Sequence, residues 1–182
     1  TEHLTEEEWL NYRRTGIGGS DVAAILGQSP FHTCRDLYYD KLGLKPAEPI
    51  EENYVAKEVG HRLESLVAEL FARKTGFPVY PMNKMFQHSE YPFMLADIDF
   101  MVDMPDGSKA ILECKTSNFH CMDKWAGDTV PVNYELQCRH YMSVLNLNQV
   151  FIACLFGNNE TEFVIRSFER DLDIEETLIE EE

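Results

Sequence analysis

The sequence is poor in basic residues: its 182 residues include 16 Lys and Arg against 32 Asp and Glu. This balance disfavours a protein that coats nucleic acid over its whole surface, because such binding needs clustered positive charge. Seven of the acids lie in residues 171–182, which contain no basic residue. The charge is therefore compatible with a small local DNA-binding groove. We expect the acidic tail to be a helix end or a frayed terminus.

Paired cysteines and long apolar runs are also missing. No two of the five cysteines form a C-x-x-C pair, which argues against a zinc ribbon or a disulfide scaffold. No apolar run approaches the roughly 20 residues that a membrane helix needs. Residues 1–8 are acidic and polar and carry no targeting signal. We expect a single soluble cytoplasmic domain with reduced, mostly buried thiols.

Periodicity and turn signals predict an α/β domain with a mixed sheet flanked by helices. Helices are predicted over residues 4–14, 21–26, 34–43, 52–75 and 131–145, and Ser20 is the expected N-cap of the second helix. In the longest helix an apolar stripe repeats at three and four residues: Val55, Val59, Leu63, Leu66, Val67, Leu70 and Phe71. Strands are predicted within 79–87 and over 93–103, 109–115, 150–156 and 162–168.

The most informative segment is a hairpin of acidic strands. Strand side chains alternate between faces, so Asp97 and Asp99 share one face, and Glu113 and Lys115 share a face on the return strand. A three-residue loop over 105–107 sets the register. That register predicts Asp99 opposite Glu113 and Asp97 opposite Lys115.

Two carboxylates directly across a strand pair repel each other unless a cation lies between them. Hard oxygen ligands without nearby His or Cys favour Mg²⁺, or Mn²⁺, over zinc. The alternative is a solvated polar face of a half-covered sheet. The spacing D-x(13)-E-x-K, combined with apolar residues on the opposite faces, favours the metal site.

Two further polar residues stand near this hairpin in the predicted fold. Glu64 lies at the margin of the apolar stripe, one turn after Gly60, and could reach over the sheet edge as a metal ligand. Gln137 lies near the start of the helix that follows Pro131, and its amide could hold a water or a metal-bound oxygen. Each residue alone is more simply explained as an ordinary boundary glutamate or surface glutamine.

These residues resemble the lambda-exonuclease or YqaJ-type viral recombinase family of the PD-(D/E)XK nucleases. Five segments carry the resemblance, in family order: R-R-T-G-I-G-G-S-D at 13–21, G-H-R-L-E at 60–64, L-A-D-I-D at 95–99, L-E-C-K-T-S at 112–117 and Q-C-R-H-Y-M at 137–142. The resemblance implies a PD-(D/E)XK fold in one domain over 1–182. Its parts would be a helical preface over 1–45 with a 5′-phosphate pocket, a catalytic core over 51–170 and the acidic tail.

The resemblance also implies roles for single residues. Asp99 and Glu113 would be the main metal ligands, with the Cys114 carbonyl as a backbone ligand and Glu64 as the helix-borne acid. Lys115 would orient or activate the attacking water. Gln137 would support Lys115. Arg13, with Arg14 beside it, and Ser20 would hold a 5′-phosphate, and a glycine-rich turn into a helix start suits an anion.

The sequence departs from the family pattern around the metal-binding aspartate. The family often has Pro before this residue and Gly after it, whereas here Ile98 and Phe100 flank Asp99. Asp97 could therefore compete for the ligand role.

The implied activity is a two-metal-ion, Mg²⁺-dependent 5′→3′ exonuclease. It would degrade one strand of linear duplex DNA and leave 3′ single-stranded overhangs for phage-type recombination. The resemblance further implies a homotrimeric ring, a single-strand annealing protein as partner and a phage or prophage origin in a bacterial host. Two alternatives stay open: an endonuclease or helicase-associated nuclease of the same fold, and a catalytically silent DNA-binding module.

Overall fold

The computed structural model describes residues 5–44 and 54–182. Its helices are α1 Glu6–Arg13, α2 Gly19–Ile25, α3 Cys34–Lys41, α4 Tyr54–Thr75, α5 Val132–Leu145 and α6 Leu172–Glu181. Its strands are β1 Ile17–Gly18, β2 Val79–Pro81, β3 Met85–Gln87, β4 Met94–Asp97, β5 Phe100–Asp103, β6 Lys109–Ser117, β7 Gln149–Phe156 and β8 Phe163–Glu169. Short 3₁₀ turns cover Phe119–Trp125 and Glu160–Glu162.

Local signals explain where several helices begin and end. Thr5 and Glu8 satisfy each other's backbone N–H groups at the start of α1, and Thr33 and Asp36 do the same for α3. Helix α5 begins after Pro131 and ends at Asn146, which adopts a left-handed conformation with φ of 53°. The predicted starts at residues 4 and 52 lie outside the described residues.

The central sheet has five strands in the order β2-β5-β6-β7-β8, in which β6 and β7 run parallel and the other neighbours run antiparallel. A smaller sheet has the order β1-β4-β3. Helix α4 packs on one face of the central sheet and α5 on the other, and each face carries its own buried apolar cluster. The predicted α/β fold with a mixed sheet between helices is confirmed.

The alternation of β6 decides which side chains face which helix. Leu112 and Cys114 belong to the cluster beneath α4, whereas Ile111 belongs to the cluster beneath α5. Glu113 and Lys115 therefore lie on the α5 face, where β6 extends beyond the end of β5.

Three expectations about local structure were wrong. Helix α2 begins at Gly19 with Gly18 as its N-cap, so Ser20 is not the cap; the Asp21 carboxylate accepts the Gly18 N–H at 2.9 Å instead. The expected strand over 93–103 is two strands, β4 and β5, which belong to different sheets. Only part of the α4 stripe is buried: Val67, Leu70 and Phe71 are covered, whereas Val55, Val59 and Leu66 are exposed.

The acidic tail forms the regular helix α6, capped by Asp171, and is not frayed. Leu178 is buried, and the Glu182 carboxylate lies 2.9 Å from Nδ1 of the fully buried His140 on α5. The second ring nitrogen of His140 lies 2.9 Å from the Leu95 carbonyl of β4. No helix of the described residues is both long enough and apolar enough to cross a membrane.

Candidate active site

The β5–β6 hairpin brings Asp99 and Glu113 to the same level. The ladder pairs Asp103 with Lys109 and Phe100 with Leu112, which is the register that the loop over 105–107 predicts. Asp99 lies one residue beyond the last pair, and its carboxylate accepts the Cys114 N–H at 2.8 Å. The side chain of Asp99 thus accepts a hydrogen bond from the backbone of the neighbouring strand β6.

Asp97 does not lie opposite Lys115, contrary to the expected register. It ends β4 and pairs with Met85 of β3 in the smaller sheet. The chain leaves one sheet and enters the other at residues 98 and 99, where Ile98 is buried in the core beneath α5. A strand that changes sheets cannot keep the pairing that alternation alone predicts.

A cavity of about 220 Å³ collects most of the expected site residues from six elements. Its lining includes Arg13, Ser20, Glu64, Asp97, Asp99, Glu113, Cys114, Lys115 and Gln137. Arg14 is not part of the lining: it is exposed and caps the C-terminus of α1. Trp9, Gly18, Gly19 and Tyr141 also line the cavity, and the sequence did not single out the two aromatic residues.

Glu113 stands at the centre of a compact hydrogen-bonded group. Its side chain is almost fully buried, and its Oε1 accepts from Lys115 Nζ at 2.5 Å and from Gln137 Nε2 at 2.9 Å. Lys115 Nζ also donates to Gln137 Oε1 at 3.2 Å, and Gln137 Nε2 donates to the Tyr141 hydroxyl at 3.0 Å. Gln137 is a buried residue in this arrangement, not the surface glutamine of the simpler interpretation.

Three carboxyl groups of the cavity, those of Glu64, Asp97 and Asp99, have pKa values above those of ordinary acids. Burial, followed by the nearby charge of Glu113, raises the pKa of Asp99 well above its usual value. Burial also raises the pKa of Glu64 and of Asp97. A divalent cation bound among these groups would favour their charged forms and relieve the repulsion between them.

The pKa of Lys115 is also raised, but for a different reason. Burial alone would lower its pKa, but the carboxylates of Glu113 and Asp99 outweigh burial and raise the pKa above the usual lysine value. Lys115 is therefore an ammonium ion at neutral pH in this arrangement. Such a group can stabilise negative charge but cannot take a proton from water.

The donor set fits a hard divalent cation. The Oε2 atom of Glu113 is buried and has no hydrogen-bond partner among the described residues, which is a costly state for a carboxylate oxygen. The described chain contains no group of three or more His, Cys, Asp or Glu side chains gathered closely enough to hold a metal by themselves. Binding would therefore need backbone oxygen, such as the Cys114 carbonyl, and water beside Asp99 and Glu113.

Arg13 is held at the other end of the cavity. Its guanidinium donates to the Ser20 hydroxyl, lies 5.3 Å from the centre of the Trp9 ring and is 3.7 Å from the Asp21 carboxylate. Lys41 Nζ makes the closer ion pair with Asp21, at 2.6 Å, and donates to the Arg13 carbonyl at 2.9 Å. Lys41 therefore neutralises most of the Asp21 charge, which leaves the guanidinium available to an anion.

Several supporting residues escaped sequence reasoning. Trp9 lies one turn before Arg13 on α1, and its Nε1 donates to the Asp97 carboxylate at 2.8 Å. The i, i+4 spacing of Trp9 and Arg13 could have indicated their contact. The partnership of Lys41 with Asp21 joins α3 to α2 and has no signal in the local sequence.

Two glycines permit the close approach of the elements that surround the cavity. A Cβ atom on Gly19 would lie 2.5 Å from the Tyr141 ring, and one on Gly16 would lie 2.3 Å from the Phe93 carbonyl oxygen. Helix α2 packs against α5 through the first contact, and β1 enters the small sheet beside the second. The glycine-rich turn of residues 16–19 therefore has a packing role.

The same fold occurs in solved exonuclease structures. The alkaline exonuclease LHK-Exo from Laribacter hongkongensis superposes with a TM-score of 0.75 at 18% identity, covering 96% of this chain and 89% of that one. A phage-related exonuclease from Haemophilus somnus 129PT gives a TM-score of 0.67 at 14% identity, over 95% of this chain and 92% of that one. These similarities establish the PD-(D/E)XK-like fold.

Sequence comparison identifies the family. Residues 8–148 match the YqaJ-like viral recombinase domain. The uncharacterized protein YqaJ of Bacillus subtilis (strain 168) is 38% identical over 170 residues, which are 92% of this chain and 51% of that protein. The chain belongs to the YqaJ-like viral recombinase family, and it spans about half the length of this relative. The family expected from the five sequence segments is confirmed.

Proposed function

We propose that the chain is a metal-dependent nuclease that degrades one strand of linear duplex DNA from its 5′ end and leaves 3′ single-stranded overhangs for phage-type recombination. One observation carries this proposal: Asp99, Glu113 and Lys115 share a cavity with Arg13 and Ser20. The acids and the lysine suit phosphodiester hydrolysis, and the arginine and serine suit a terminal phosphate. The fold and the family agree with this assignment.

Asp99, Glu113, the Cys114 carbonyl and Glu64 would hold two Mg²⁺ ions, with Mn²⁺ as a substitute. When bound, such ions lower the pKa of an attacking water and stabilise the leaving 3′-oxygen. The raised pKa of Asp99 and the unpartnered Oε2 of Glu113 support this choice of ligands.

Lys115 and Gln137 act on the substrate side of the site in this proposal. Because the ammonium of Lys115 keeps its proton, its role is to stabilise negative charge that develops on the scissile phosphate. Gln137 forms hydrogen bonds with both Lys115 and one oxygen of Glu113, so it fixes the distance between the Lys115 ammonium and the Glu113 carboxylate. Its location inside the cavity also allows it to orient a water molecule.

The direction of digestion would come from Arg13 and Ser20. The Arg13 guanidinium donates to the Ser20 hydroxyl in the same cavity, and a 5′-phosphate there would receive charge-assisted hydrogen bonds from the guanidinium. Arg14 is exposed and does not line the cavity, so we assign it no part in this pocket.

The first experiment compares linear and covalently closed duplex DNA in Mg²⁺, with an EDTA control. An end-dependent exonuclease digests the linear form alone and is inactive in EDTA. Cleavage of the closed circle would support the endonuclease alternative. A protein that binds both forms and cuts neither would be a silent DNA-binding module.

A second experiment tests Lys115 against a matched lysine on the same strand. Lys115→Ala should lower the single-turnover rate at least about 100-fold, the range for losing a preorganised group that stabilises the transition state, while DNA ends still bind in Ca²⁺. Lys109→Ala removes an exposed lysine of β6 and should cut at the wild-type rate. Undiminished cleavage by Lys115→Ala would contradict its assigned role.

Substitutions of two neighbouring arginines, Arg13 and Arg14, test the proposed 5′-phosphate pocket. Wild-type protein should digest 5′-phosphorylated ends faster than 5′-hydroxyl ends, and Arg13→Gln should remove that preference. Arg14→Gln is the matched control and should keep it. Equal wild-type rates on both kinds of end would refute the pocket.

The homotrimeric ring and the annealing-protein partner are also proposals, based on the family resemblance. Light scattering of the purified protein, with and without DNA ends, would measure the number of subunits. A mass of one chain under both conditions would contradict the trimer.

A further inference from the structure

An aromatic ring lies beside the ammonium group of Lys115. Nζ of Lys115 is 4.9 Å from the centre of the Tyr134 ring, which projects from the first turn of α5. This distance is within the range of a cation–π contact. We propose that Tyr134 is a positioning residue that holds Lys115 in its working position. This inference rests on the proposed function of Lys115.

The other partners of the ammonium are side-chain oxygens, one of which belongs to the expected metal ligand Glu113. Lys115 Nζ donates to Glu113 Oε1 and to Gln137 Oε1. A cation bound by Glu113 would withdraw negative charge from the carboxylate that now holds the lysine. The face of a tyrosine ring offers no hard oxygen to Mg²⁺, so the metal does not compete for it. The ring contact is therefore a partner that Lys115 keeps when the metal binds.

The Tyr134 ring is itself supported from behind. Trp125 is buried, with its ring centre 6.0 Å from that of Tyr134 and 5.9 Å from that of Phe156 on β7. The Trp125 carbonyl accepts a hydrogen bond of 3.0 Å from Arg166 on β8. Two strands of the central sheet thus fix the tryptophan against which the tyrosine packs.

The 3₁₀ turn Phe119–Trp125 does more than link β6 to α5. It places Trp125 between the central sheet and Tyr134. A lysine on a strand end has four rotatable bonds and loses considerable entropy when it is fixed. A rigid aromatic surface reduces that cost at the moment when the substrate phosphate arrives.

Two substitutions separate the ring face from the rest of the side chain. Tyr134→Phe keeps the face and removes the hydroxyl, whereas Tyr134→Leu keeps an apolar side chain without a π system. We expect the phenylalanine variant to keep kcat within about twofold and the leucine variant to lose about tenfold in kcat, with little change in the Kd for DNA ends in Ca²⁺.

The matched control removes another cation–π contact of the same helix. Phe168 lies 5.8 Å from the guanidinium carbon of Arg139, which is also on α5 but outside the cavity. Phe168→Leu should leave kcat unchanged. Full activity of Tyr134→Leu, or equal losses in both Tyr134 variants, would overturn the inference, because the ring face would then not be the active feature.

A spectroscopic measurement decides the contact independently of activity. In protein labelled with ¹³C-lysine, the ring current of Tyr134 should move the ε-proton signal of Lys115 upfield, and Lys115→Arg identifies that signal. We expect the upfield shift with and without Mg²⁺ and in Tyr134→Phe, and its loss in Tyr134→Leu. Its disappearance on adding Mg²⁺ would overturn the inference even if the protein cuts DNA. Absence of cleavage by wild-type protein, with the shift present in Mg²⁺, would overturn the proposed function and confine the inference to a structural contact.

Discussion

Replacing Asp99 by asparagine should make the metal-free protein more stable and catalytically inactive. Ionisation of the Asp99 carboxyl group is costly, because burial and the nearby charge of Glu113 both oppose it. Asparagine keeps an oxygen that can accept the Cys114 N–H, so the backbone contact at 2.8 Å survives the change. The substitution therefore removes a repulsion and keeps the hydrogen bond.

The sign of the effect, and its dependence on pH, follow from the direction of the Asp99 pKa shift. A raised carboxyl pKa means that the folded state holds the proton more tightly than the unfolded chain does. The penalty is absent below the unfolded pKa, grows as pH rises towards the folded pKa and is complete above it. We expect Asp99→Asn to gain about 1 kcal/mol at neutral pH, an ordinary size for the effect of a single substitution, or about 2–4 °C in Tm.

Differential scanning calorimetry in EDTA measures this gain, with Asp103→Asn as the control. Asp103 lies on the same hairpin, is about half exposed and pairs with Lys109 at 2.7 Å, so its loss should be neutral or slightly destabilising. The gain from Asp99→Asn should vanish near pH 3.5. A lower Tm for Asp99→Asn than for wild type in EDTA at pH 7 would refute the reasoning, since the carboxylate would then be stabilising the fold.

Two other substitutions test the packing of the helical preface, by thermal or urea unfolding. Gly19→Ala should destabilise the protein by about 1–3 kcal/mol, because its Cβ would overlap the Tyr141 ring, whereas Gly60→Ala in α4 meets only an ordinary contact and should be neutral or stabilising. Lys41→Met should cost about 1–3 kcal/mol, because the buried Asp21 would lose its closest cation. Equal stabilities of the two glycine variants, or of Lys41→Met and wild type, would contradict these contacts.

The sequence predicted the part of the site that local rules control. The loop over 105–107 fixes the register of β5 and β6, and strand alternation then places Glu113 and Lys115 on one face. Both expectations agree with the fold because hairpin geometry depends on neighbouring residues only. Their positions on predicted helices made Glu64 and Gln137 candidates, but only the family resemblance favoured a functional role over the simpler interpretation, since both lie far from the hairpin in sequence.

The errors arose where the fold overrides a local pattern. The alternation of residues 93–103 continues unbroken through the point at which the chain changes sheets, so it could not reveal the division into β4 and β5. The apolar stripe of α4 identifies residues suited to burial but not whether a partner covers them, and its first half is exposed. The cap of α2 depends on Asp21, which is itself held by Lys41 from another helix.

The change of sheets at residues 98 and 99 also separates the roles of the two aspartates. One oxygen of Asp97 accepts from Trp9, and after burial this hydrogen bond and the charge of Arg13 are the main influences on the Asp97 pKa. The corresponding influence on Asp99 is Glu113. Asp97 is thus influenced mainly by Trp9 and Arg13, whereas Asp99 is influenced mainly by Glu113.

Titration calorimetry with Mg²⁺ can distinguish these roles. Asp97→Asn should keep most of the metal affinity, because asparagine can still accept the Trp9 N–H, but it should weaken the preference for 5′-phosphorylated ends by disturbing the support of Arg13. Asp99→Asn should lower the metal affinity about tenfold or more, since it removes a charged first ligand of a hard cation. Loss of Mg²⁺ binding in Asp97→Asn, with binding kept in Asp99→Asn, would reverse the assignment. The metal would then lie on the side of the cavity nearer Trp9.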